Sequence, residues 1–116
     1  MGMFRDEGAQ EIDIVKEMAE ELGSAGLKVD ELLEQVVAAR EEAMELLKMY
    51  YSETPGSLGS DKIAVNDSIS RYNALVDKTE DALRWLLIQR EACGFRTHRN
   101  VNTHYPIPPR IKLIQQ

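Results

Sequence analysis

Residues 11–50 read EIDIVKEMAEELGSAGLKVDELLEQVVAAREEAMELLKMY. Within them Val15, Met18, Leu22, Ala25, Val29, Leu32, Val36, Ala39, Ala43, Leu46 and Tyr50 follow one another at alternating steps of three and four. Side chains so spaced share one face of a helix, because 3.6 residues complete a turn. Ile12, Ala19, Leu33, Val37 and Leu47 widen that seam, while Glu, Asp, Lys, Arg and Gln fill most other positions. The pattern predicts one long amphipathic helix of the kind found in bundles and coiled coils.

Gly23 and Gly26 interrupt this text. Each costs a helix interior about 1 kcal/mol relative to Ala, so a break there would give a three-helix arrangement with Ser24 or Asp30 as a new cap. The seam nevertheless crosses both glycines in phase through Leu22, Ala25 and Val29, which favours a continuous helix. Asp6 or the residues around Gly8 are the expected N-terminal cap. Ser52 to Ser60, with Pro55-Gly56 and Gly59, reads as a loop; Gly56 to Gly59 lacks the Lys-Ser/Thr of a phosphate-binding turn.

A second helix is predicted from Asp61, or more cleanly from Asn66-Asp67-Ser68, to Cys93, with Gly94 as its stop. Its seam is Val65, Ile69, Tyr72, Val76, Thr79, Leu83, Leu86 and Arg90. Trp85, Leu86, Leu87 and Ile88 stand in a row, so this end is apolar nearly all round and calls for additional cover. The fold expected is all-α: residues 1–93 form a long antiparallel helical hairpin, with helices over about 8–51 and 62–93. Both faces are wider than one hairpin contact needs. Two hairpins are therefore expected to dimerise into a four-helix bundle.

Charge divides the chain. Residues 1–93 carry all 20 acids against ten Lys and Arg, whereas residues 94–116 carry Arg96, Arg99, Arg110 and Lys112 and no acid. An acidic body argues against a nucleic-acid partner, which requires a basic stripe. No apolar run reaches the roughly 18 residues of a membrane span. The first residues lack the order of a signal peptide, and Asp6 stands where myristoylation wants Ser or Thr. A single cysteine, Cys93, excludes an intramolecular disulfide. A cytoplasmic protein without a cofactor is expected.

Residues 94–116 differ in kind from the rest. Pro106, Pro108 and Pro109 favour an extended path, while Phe95, Val101, Tyr105, Ile107, Ile111, Leu113 and Ile114 are too apolar for a free linker. A basic extended tail packed on the acidic helices is expected, with Arg110-Ile-Lys-Leu alternating like a strand that has no partner strand. Arg90-Glu-Ala-Cys-Gly-Phe-Arg96 followed by His104-Tyr-Pro-Ile-Pro-Pro109 resembles the C-terminal signature of a family of small, uncharacterised bacterial helical proteins. The resemblance covers about a quarter of the chain. It implies a bacterial cytosolic protein and brings over no catalytic residue.

No catalytic set emerges. Cys93, His98 and His104 lack a fourth ligand and compact zinc spacing. At a helix C-terminus the negative dipole end disfavours the thiolate that a Cys–His nucleophile pair requires. Neither His lies on a predicted helix, as a four-helix di-metal site would demand. Paired acids such as Glu20-Glu21 and Glu41-Glu42 mostly fall outside the seam.

Arg90 holds a seam position where Leu is the norm. It either reaches outward to Glu11, Asp13 or Glu17, or joins Arg84, Trp85, Arg96, His98, Arg99 and His104 in a ligand- or partner-binding cluster. The expected function is a non-enzymatic structural or protein-interaction module, homo-oligomeric and open to a protein partner. The alternative is a small-ligand or anion-binding protein with its site near the C-terminal end of the second helix.

Overall fold

A computed structural model describes residues 2–52 and 62–115, with side chains from residue 11 onward except that of Arg99. It is helical, with three helices in the order α1 (Gly2–Ser52), α2 (Lys62–Ala92) and α3 (Arg99–His104), and no strand occurs among the described residues. The two long helices pack antiparallel. Val29 lies with Leu86, Val36 with Tyr72 and Val76, and Ala43 with Val65 and Ile69. The expected loop over Ser52 to Ser60 falls almost wholly outside the described residues.

α1 is continuous through Gly23 and Gly26. At 1.5 Å per residue its 51 residues make a rod of about 76 Å, most of the molecule's 84 Å length. It begins ahead of Asp6 and Gly8, so neither marks its start. α2 likewise begins ahead of Asn66-Asp67-Ser68. That trio lies inside the helix, where Ser68 is buried and Asn66 has a different task.

The seams form the core. Ala25, Val29, Leu32, Val36 and Ala43 are buried on α1; Val65, Ile69, Tyr72, Val76 and Leu86 are buried on α2. A fully buried apolar side chain contributes about 1.5–3 kcal/mol before ordering entropy is charged against it. Thr79 fills a buried polar seam position at no hydrogen-bond loss, donating its hydroxyl to the Leu75 carbonyl at 2.7 Å.

A glycine stop ends α2. Gly94 takes φ 96°, a left-handed conformation that suits a residue without Cβ. The Phe95 and Gly94 amides donate to the Arg90 and Glu91 carbonyls, each at 3.0 Å. This nested pair satisfies carbonyls that the helix end leaves open.

The chain then makes a short turn, forms the six-residue α3, and runs without helix or strand from Pro106 to the end of the described residues. α3 was not foreseen from the sequence, whose reading made the whole of 94–116 extended. It buries Val101 against Ala25, Val29 and Leu86. Farther on, Ile107 and Ile111 meet the Val36–Tyr72–Val76 layer, and Ile111 and Ile114 meet the Ala43–Val65–Ile69 layer. Each core layer of the hairpin thus receives apolar groups from residues beyond α2.

Candidate functional site

Two places concentrate specific polar chemistry: the corner where α2 ends, and the groove between α1 and α2 that residues 105–115 fill. Arg90 organises the first. Its Nε donates to His98 Nδ1 at 3.3 Å and its terminal nitrogen to the Thr97 carbonyl at 3.2 Å. Its guanidinium carbon stands 4.6 Å from the Phe95 ring centre, a cation–π distance. Because His98 Nδ1 accepts from Arg90, the ring proton belongs on Nε2, which then donates to Glu91 Oε1 at 3.2 Å. Arg90 therefore does not reach Glu11, Asp13 or Glu17, and it lines an open cleft of about 520 Å³ with Leu22, Gly26, Asp30 and Tyr105. It fastens the turn that follows its own helix.

The other candidates do not gather around it. Arg84 pairs with Asp81 at 2.8 Å on an exposed stretch of α2. Trp85 borders an open cleft of about 870 Å³ whose other walls include Glu17, Glu20, Glu21 and Lys28. That acid-rich rim repels anions. Arg96 is exposed in the turn, Arg99 opens α3, and His104 is exposed with its ring edge-on to Tyr105 at 4.6 Å. Of the residues singled out whose side chains are described, only Arg90 and His98 bond to one another. Among the described residues no group of three His, Cys, Asp or Glu is placed to hold a metal ion.

The groove is the more elaborate site; the sequence reading expected a tail packed on the helices but did not foresee the α2 side chains that seat it. Asn73 Nδ2 donates to the Ile111 carbonyl at 2.8 Å, and the Ile111 amide donates back to Asn73 Oδ1 at 3.0 Å. Asn66 does the same for Ile114, at 3.1 and 2.8 Å. A carboxamide carries one donor and one acceptor side by side, so it can satisfy both backbone groups of one residue, as a neighbouring strand would. Asn66 and Asn73 stand seven residues apart on α2, about 10.5 Å along the helix. Ile111 and Ile114 are three residues apart, about 9–10 Å of extended chain. The two repeats match, and they run in opposite directions. One further step would pair position 80 with Pro108, which has no amide hydrogen; there Glu80 accepts from Arg110 at 2.7 Å instead.

Further contacts fix the same segment. Tyr72 donates its hydroxyl to the Pro109 carbonyl at 2.7 Å. Burial pushes the Tyr72 phenol above its usual pKa, and the Arg40 guanidinium partly opposes that. Arg110 also bonds Asp77 through Nε at 2.9 Å, and its two acidic partners hold it more firmly protonated. Tyr105 lies over Gly26, where an added Cβ would come within 3.0 Å of its hydroxyl oxygen. Burial and Asp30 push the Tyr105 phenol up, against the pull of Arg90.

Trp85 and Ile88 remain about half exposed with all of this in place, so residues beyond α2 cover Leu86 and Leu87 but not the whole apolar ring. A signal for the groove was present in the sequence. Two asparagines, poor helix formers, recur at a seven-residue interval in a helix interior, which suggests that their amides are used elsewhere.

No helix among the described residues is long and apolar enough to cross a membrane. Compared with protein-family models, curated proteins and solved structures, the chain matches none.

Proposed function

We propose that the protein is a non-enzymatic structural or protein-interaction module that works as a homo-oligomer, with copies joining through the N-terminal arm of α1. One observation carries this. α1 continues past the end of α2, and on that arm Ile12, Ile14 and Val15 are 69%, 54% and 65% exposed. Ile12, Val15 and Ala19 follow a helical three-and-four spacing, so the arm offers a continuous apolar stripe that stands exposed among the described residues. A second arm is a fitting partner because its stripe has the same width and period, and such a contact closes on itself by two-fold symmetry.

Charge tunes the association. Glu11, Asp13, Glu17 and Glu20 outnumber Lys16 on this segment, so two arms repel until salt screens them. Light scattering on the full chain at tens of micromolar should give about twice 13.2 kDa, rising in dimer fraction from low to moderate salt. Ile12→Asp with Val15→Asp should return it to a monomer without loss of helicity. A wild-type chain that stays monomeric at every salt concentration overturns the proposal.

A further inference from the structure

We propose that the α1–α2 groove is a docking site for an extended peptide, and that its occupant in trans is residues 105–115 of a second copy of this chain. This deepens the homo-oligomer reading by naming a contact between copies that does not use the arm.

The groove has the chemistry of a strand reader. Asn66 and Asn73 satisfy main-chain groups at Ile114 and Ile111, and Tyr72 satisfies the carbonyl of Pro109. Such bonds give affinity and register whatever chain supplies the strand. Side-chain selection is layered over them. Ile107, Ile111 and Ile114 enter the core layers at intervals of four and three, and Arg110 is clamped by Asp77 and Glu80. The acidic pair orients the strand, since a reversed chain would move the cation away from it. Pro106, Pro108 and Pro109 restrict the free segment toward the extended form, which lowers the entropy lost on docking.

A second copy supplies α3 and the same segment in the same order, so the Val101 packing and every groove contact are retained after exchange. Only the connection must change. Residues 95–98 join α2 to α3 without helix or strand, held by the Arg90 contacts to Phe95, Thr97 and His98 on a largely exposed corner. Exchange of an identical element through such a hinge is a low-cost route to dimers. Arg90 acts here as the latch that favours the intramolecular form.

The test uses full-length chains in the Ile12→Asp, Val15→Asp background, so that arm pairing contributes nothing. A receiver chain carries Ile111→Asp and Ile114→Asp, which loosen its own segment and leave the groove residues intact. A fluorescein-labelled peptide of residues 104–116 should bind the receiver saturably, at least tenfold tighter than it binds a chain with its own segment in place. Asn73→Ala in the receiver should weaken binding about tenfold or more, as should Arg110→Glu in the peptide.

Immobilised receiver should also retain the untagged chain with an intact segment, more of it when that chain carries Arg90→Ala, and should not retain a second receiver. Should the receiver lose its helical circular dichroism, Arg110→Glu, at an exposed position, replaces the two isoleucine changes. A folded receiver that shows no saturable peptide binding, or binding indifferent to Asn73→Ala, overturns the proposal. Peptide binding without retention of the full chain overturns the second copy as occupant and points to a foreign extended peptide. Failure here with arm-dependent dimers intact leaves the arm contact standing, and the converse result separates them equally well.

Discussion

Val15 and Val36 are the same residue, on the same helix, in the same phase of the same seam, yet one is 65% exposed and the other fully buried. The difference lies in what faces them. Val36 meets Tyr72 and Val76 from α2 and lies in a layer that Ile107 and Ile111 complete. Val15 sits on the arm, past the point where α2 ends. An apolar period states that a helix can bury a face; it does not state that the partner belongs to the same chain.

Aspartate placed at each site gives the largest contrast. Val36→Asp should destabilise the fold by at least about 3 kcal/mol, combining lost burial with an unpaired charge in the core. Val15→Asp should change stability by no more than about 0.5 kcal/mol in the monomer, as exposed substitutions do. Urea titrations of both variants at a concentration below association measure this. A large loss at Val15 would mean that the arm is buried within one chain.

The next effect sharpens the same contrast at the groove. Asn73→Ala removes two hydrogen bonds and leaves the Ile111 amide and carbonyl without them, at a cost of about 1–3 kcal/mol. Hydrogen exchange should quicken at Ile111 and Ile114 while the α1 amides near Val29 keep their protection. Uniform loss of protection would instead show that the segment and the hairpin unfold as one unit.

The two glycines lie on the covered stretch of α1, beside Arg90, Val101 and Tyr105. Gly23→Ala meets nothing within 4 Å and should raise stability by up to about 1 kcal/mol. Gly26→Ala should fall short of that gain or reverse it, because its methyl group crowds the Tyr105 hydroxyl. In a Tyr105→Phe background the two substitutions should become equivalent, a cycle that thermal melts can resolve.

The smallest expected effect is alkaline. A phenol whose pKa is raised by folding binds its proton more tightly in the native state, so its contribution is intact below the unfolded value of about 10 and is lost as pH rises through the folded value. Melting temperature should drop above pH 10, and less steeply in Tyr72→Phe, which has no proton to lose.

Much of the fold was legible from local text. The seams over 15–50 and 65–86 identified two long packed helices, and the unbroken phase across Leu22, Ala25 and Val29 outweighed the glycines. The site was far less legible. α3 is six residues long, too short to display a period, and Val101 is the one buried residue among its described side chains. Arg90 looked like a misplaced seam cation because its partners, Phe95, Thr97 and His98, become neighbours only after Gly94 turns the chain.

The sequence by itself determined the elements whose evidence repeats within one stretch: helical period and apolar face. Tertiary structure decided where residues 106–115 lie and what Asn66 and Asn73 do. Those pairings join positions 37 to 48 residues apart, and their match depends on two rises, 1.5 Å per helical residue against roughly 3.1–3.4 Å per extended one. No local pattern carries that ratio. It appears only when the extended segment is laid along the helix in the opposite direction.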